Sequence, residues 1–174
     1  AKSFPIYFTI IAIGVGLTAG TNTLIGNNLG ANNKKKASLF IAQSIIFAIF
    51  LSVLVTFFGL NVSDFLLSLM GSDPDGIILS REYLDIIFYG TIIVLIQISL
   101  NGTLNAQGDT KSYRNVLIFT FFLNIFLNPL FIFGYGFVPA FGIAGLAIAT
   151  VVAQFTGLLY LAHKVYCCEL KQYL

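Results

Sequence analysis

Apolar residues on this chain fill long runs instead of alternating or marking one helical stripe, and the runs are interrupted by short clusters of turn formers and charge. The pattern predicts membrane-crossing helices over about residues 4–28, 37–58, 83–105, 115–133 and 142–163, each close to the roughly 20 residues that a hydrocarbon core demands at a rise of 1.5 Å. The interruptions are Asn27-Asn28 through Lys36, Gly71-Ser-Asp73-Pro74-Asp75-Gly76, Gly108-Asp-Thr-Lys111, and Gly134-Tyr-Gly-Phe-Val-Pro139. Gly59, Asn61, Ser63 and Asp64 dilute the end of the second run, so a partly interfacial turn or short helix is expected there before Met70. No linker and no short repeat divides the chain, and residues 1–174 read as one all-α integral membrane domain of five spans.

Composition fixes the solvent. With 57% hydrophobic and 9% charged residues and a mean hydropathy of +0.92, the chain lies far from the roughly 25% charged residues of soluble domains. A formal net charge of +2 suggests no nucleic-acid partner. The adjacent Cys167 and Cys168 cannot form a disulfide framework or a spaced metal site, and read as an unmodified pair at the membrane edge. The opening at Ala1, with one lysine before the first apolar run, does not read as a cleaved signal peptide; a fragment of a longer protein is expected.

Polar residues inside the spans carry the functional signal. Gln97, Asn101 and Asn105 recur every four residues in the third span, as do Thr120, Asn124 and Asn128 in the fourth, where Pro129 loosens the backbone. An amide facing lipid has no bonding partner, so each stripe should face another helix or a wet cavity. Interhelical bonding explains either stripe alone. Both together, with Thr150 and Gln154 in the fifth span, point to a hydrated cavity lined by Gln97, Asn101, Thr120 and Gln154. Gly16 and Gly20 in the first span, and Gly145, Ala149 and Ala153 in the fifth, are expected to admit close helix contacts. No His-x-x-x-His, paired carboxylates, Gly-x-Ser-x-Gly or Walker lysine is present, so neither an enzyme, a metal centre nor a cofactor is expected. Asp85 reads as a solvated carboxylate, His163 as an interfacial anchor, and Gly108 to Lys111 as a turn.

Cationic residues fall on alternate loops. Lys34 to Lys36, Lys111 with Arg114, and Lys164 with Lys171 mark one side, whereas the loop around Asp73 holds only Arg81 and the loop before Pro139 holds none. The positive-inside rule makes the loops near Lys34, Lys111 and Lys164 cytoplasmic. A multi-pass protein of the plasma membrane, a bacterial inner membrane, is expected.

Four segments together resemble one known family. They are Leu29-Gly30-Ala31-Asn-Asn-Lys-Lys-Lys-Ala37, Gly108-Asp-Thr-Lys111, Leu123-Asn124-Ile-Phe-Leu-Asn128-Pro-Leu-Phe-Ile-Phe-Gly134 and Gly142-Ile-Ala-Gly145-Leu-Ala-Ile-Ala-Thr150. In order and spacing they are similar to helices two to six of the N-terminal lobe of the multidrug and toxic compound extrusion (MATE) transporters. The resemblance implies that the spans form most of a six-helix lobe. It implies a secondary antiporter that exports cationic or amphipathic drugs and toxins in exchange for sodium ions or protons. Its partners would be the bilayer, small organic cations, and a first helix and second lobe of the same transporter. It also implies a cation site, to which Asn124, Asn128 and Thr150 map, with an acid from the family's first helix. Asn128 stands where one branch of the family has aspartate, and an amide does not titrate in the accessible range. Two other readings stay open. A related lipid-linked oligosaccharide flippase would need a basic cavity, and the spans hold no internal lysine or arginine. A non-transporting membrane scaffold subunit would use the amides as helix glue alone.

Overall fold

In a computed structural model, residues 4–69, 74–134 and 139–167 are described. They form five helices, α1 (Phe4–Gly30), α2 (Lys34–Leu69), α3 (Pro74–Ala106), α4 (Lys111–Phe133) and α5 (Ile143–Tyr166). All five contain stretches long and apolar enough to cross a membrane. Among the described residues there is no strand, so the fold class is all-α.

α3 is the hub. It packs against α1, α2 and α5, whereas α4 packs chiefly on α5. Lipid tails are as apolar as leucine, so packing and interhelical polar bonds must hold such helices together. Serine and threonine supply the bonds here. Thr18 Oγ1 of α1 donates to the Ile98 carbonyl of α3 at 3.3 Å, Thr56 Oγ1 of α2 donates to the Phe88 carbonyl at 2.7 Å, and Ser99 shares a 3.0 Å hydroxyl bond with Ser44. An apolar cluster of Ile25, Ile41, Leu100, Leu104, Leu161 and neighbours closes the end near the lysine-bearing loops. A second, around Ile10, Leu84, Phe88 and Ala147, closes the other end. The large residues turned away from these clusters, among them Phe50, Phe57, Phe119 and Phe126, are exposed, as a lipid-facing surface requires.

Two expectations are corrected. α2 does not break at Gly59 but runs unbroken to Leu69. Asn61 Nδ2 bonds back within the helix to the Phe57 carbonyl at 2.7 Å, whereas Ser63 is buried with its hydroxyl unpartnered. Gly16 and Gly20 mark no close contact within the described residues. No described atom lies within 4 Å of a Cβ built on either, and both line an open groove of about 350 Å³ between α1 and α2. The close approach of α1 to α3 comes instead at Gly14, where a Cβ would lie 2.5 Å from Ile98 Cδ1, and at Gly102, 3.0 Å from the Thr18 carbonyl.

The turns follow local chemistry. Between α1 and α2, Asn32 adopts φ 55° and Asn33 Oδ1 accepts the Lys36 N–H at 3.1 Å, capping α2. Between α3 and α4, Gly108 adopts φ 83° and the Asp109 N–H reaches back to the Leu104 carbonyl at 2.9 Å, a glycine C-cap. Asp109 then caps α4, accepting the Ser112 N–H at 3.0 Å and its hydroxyl at 2.6 Å. Residues 71–73 of the expected break after α2, part of the loop before Pro139, Cys168, Glu169 and Lys171 lie outside the described residues.

Candidate functional site

α4 and α5 run antiparallel and approach most closely where α5 has glycine. A side chain on Gly145 would collide with the Phe131 carbonyl, and a Cβ on Gly157 would lie 2.6 Å from Val116 Cγ1. Between these two contacts the antiparallel register sets Asn124 and Thr150 at the same height on facing helices, with Asn128 one turn further along. All three are half-buried. Asn124 Nδ2 is spent on the Thr120 carbonyl at 3.0 Å, which leaves Oδ1 as the end available to a ligand. The Thr150 hydroxyl donates to the Leu146 carbonyl at 2.9 Å, so its oxygen presents lone pairs. Asn128 Oδ1 is buried without a hydrogen-bond donor. Pro129, with no N–H of its own, sits inside α4 beside it. The helix nevertheless continues to Phe133, and its end is tied down where the Phe141 and Gly142 N–H groups bond the Phe131 and Ile132 carbonyls at 2.9 and 3.3 Å. The site therefore offers neutral oxygens on two helices that a backbone clasp holds together.

The other polar candidates meet lower on α5. Gln97 of α3 is 2% exposed and Thr120 of α4 is 5% exposed, and Gly157 lets both approach. Gln97 Nε2 lies 3.1 Å and Thr120 Cγ2 3.4 Å from where a Gly157 Cβ would stand. The Thr120 hydroxyl is directed at the Val116 and Leu117 carbonyls, at 2.8 and 3.2 Å. Gln97 Oε1 has no donor, nor has Asn101 Oδ1 one turn away, on a side chain 8% exposed. Gln154, half-buried, lies three residues before Gly157. Gly157 itself went unread in the sequence, although the small-residue spacing of Gly145, Ala149 and Ala153 continues onto it.

Charge gathers at the helix ends. Asp109 is held below the usual carboxylate range, first by the Ser112 hydroxyl and then by the Ser112 N–H, with burial opposing and Lys164 assisting. Asp85 Oδ2 lies 3.7 Å from Arg81 Nε, and its other oxygen is buried without a donor. His163 Nε2 lies 3.8 Å from Cys167 Sγ on the exposed end of α5. Among the described residues, no three His, Cys, Asp or Glu side chains cluster in a way that could hold a metal.

Known proteins resemble the chain in sequence and in the arrangement of its helices. The probable multidrug resistance protein YoeA of Bacillus subtilis is 31% identical over 91% of the chain and 34% of its own length. The FAD transporter of Shewanella oneidensis is 28% identical over 90% of the chain and 34% of its own length. An inward-facing multidrug resistance MATE family transporter of the MOP superfamily superposes with a TM-score of 0.89 at 30% identity, covering 97% of the chain and 37% of that structure. The chain thus spans about a third of the length of these relatives. The family pattern described as MatE matches residues 1–130, which include all of α1 to α3 and the α4 segment carrying Thr120, Asn124 and Asn128. On that match, and on the helical arrangement shared over nearly its whole length, the chain belongs to the MatE family.

Proposed function

We propose that this chain forms most of one lobe of a secondary antiporter that exports cationic or amphipathic compounds in exchange for sodium ions or protons, with Asn124, Asn128 and Thr150 contributing to the coupling-ion site. The observation that carries the reading is the pairing of Asn124 and Thr150 at one height, with the unpartnered Asn128 oxygen a turn away. Amide and hydroxyl oxygens ligate a hard cation such as sodium. They leave its charge uncompensated in a low-dielectric interior, so a carboxylate from elsewhere in the full transporter completes the site. Because Asn128 cannot ionise, sodium, or a proton carried on that other acid, fits better than a proton shared between two carboxylates on these helices.

The FAD transporter among the relatives suggests an anionic cargo as the competing reading. The middles of the described spans carry no lysine or arginine to receive a diphosphate, which favours cationic cargo. The same lack sets the oligosaccharide flippase aside. The scaffold reading stands or falls with ion dependence.

The test is export of a fluorescent organic cation from vesicles containing the full-length protein, across sodium concentration and pH. Asn124→Ala and Thr150→Ala should raise the sodium concentration for half-maximal export by about tenfold, the worth of one ligand interaction of about 1.4 kcal/mol. Asn128→Asp should make export newly pH-dependent. Wild-type dependence on both ions in all three variants, at equal expression, would return these residues to a purely structural role.

A further inference from the structure

The two amide stripes lie end to end. α3 runs toward the lysine-bearing end and α4 runs away from it, and Gln97 of one meets Thr120 of the other across Gly157. From that joint Asn101 and Asn105 continue at successive turns toward the basic loops, while Asn124 and Asn128 continue the opposite way. Each arm rises about 12 Å at 1.5 Å per residue, so the two cover about 24 Å of a hydrocarbon core roughly 30 Å thick.

The lower arm is sealed yet unsatisfied. Gln97 Oε1 and Asn101 Oδ1 are buried acceptors without donors, on side chains 2% and 8% exposed. An unmet buried acceptor is costly, so a donor small enough to enter this seam is called for. A resident cation would find only neutral oxygens at these two steps and would keep its desolvation penalty. Water donates to both oxygens and carries no charge, and buried water characteristically serves such groups. We propose that the α3–α4–α5 seam holds internal water bonded to Gln97 and Asn101, lying between the apolar cluster at the basic end and the level of Asn124 and Thr150. Its relation to Asn124 and Thr150 rests on the cation-site reading above; the water itself rests on the orphaned oxygens.

Hydroxyl-radical footprinting of the full-length protein in lipid tests this, because radicals generated from bound water label buried aliphatic side chains beside it. Val116, 3% exposed, abuts the same Gly157 position as Gln97. Leu95 is fully buried in the apolar packing with Leu17 and Ala48 and serves as the dry reference. Val116 should label well above Leu95 in the wild type and fall to the Leu95 level in the Gln97→Met, Asn101→Leu double variant. Equal labelling of Val116 and Leu95 in the wild type overturns the proposal even if the variant fails to fold. Labelling that persists in a folded double variant overturns it too, since the amides would not be holding the water. A labelled Val116 with an Asn124→Ala variant of unchanged ion dependence supports the internal water and removes the cation site. A dry Val116 with an altered ion dependence in that variant keeps the site and removes the water.

Discussion

The ring of Phe88 on α3 occupies the space that a side chain on Gly59 of α2 would need. One turn before Gly59, the Thr56 hydroxyl donates to the carbonyl of the same Phe88 at 2.7 Å. Gly59→Ala should therefore lower stability by about 1–3 kcal/mol through overpacking, despite alanine's better helix propensity. The check is the thermal unfolding midpoint in detergent. Phe88→Leu in the same background should recover part of the loss, and an unchanged midpoint in Gly59→Ala would show that the ring moves aside freely.

The contact between α1 and α3 makes a paired prediction. Gly102→Leu drives side-chain atoms toward the Thr18 carbonyl, 3.0 Å from the first carbon alone. Gly16→Leu meets an open groove. Folded yield, read as the monodisperse fraction on size exclusion, should fall much further for Gly102→Leu. The opposite order would mean that the open face of α1 is the tighter one.

Asp109 predicts a pH signature. Its folded-state pKa is lowered by its bonds to Ser112, so the stabilisation it gives is present above the ordinary carboxylate range and is lost as pH falls through the lowered value. Asp109→Ala should cost about 0.5–2 kcal/mol near neutrality, the usual worth of an N-cap. The gap between wild-type and variant midpoints should close on acidification. A gap independent of pH would deny the cap its charged component.

Orientation is testable with single cysteines. Lys35→Cys should react with a membrane-impermeant maleimide only from the cytoplasmic side, and Ala140→Cys only from outside, as the distribution of lysine and arginine requires. Reversed labelling would invert the topology.

How much of this was legible follows from the reach of each signal. The turns were readable because Gly108, Asp109 and Asn33 act on backbone within a few residues of themselves. The helices were readable because a bilayer demands long apolar runs. The course of α2 past Gly59 was not, since it depends on Phe88, 29 positions further along. Gly16 and Gly14 look alike in a list of residues, and only the crossing of α3 decides which of them is pressed. The amide stripes were visible separately. Their alignment end to end was not, because it depends on Gly157 bringing Gln97 and Thr120 together from two helices that the periodicity treats independently.

The clasp at the end of α4 governs how that helix is held. With Phe131 and Ile132 gripped by Phe141 and Gly142, and α4 resting chiefly on α5, α4 reaches the rest of the bundle through α5, which itself packs on α3. Thr120, Asn124 and Asn128 are therefore positioned at second hand: whatever sets α5 against α3 sets the height of α4's polar stripe with it.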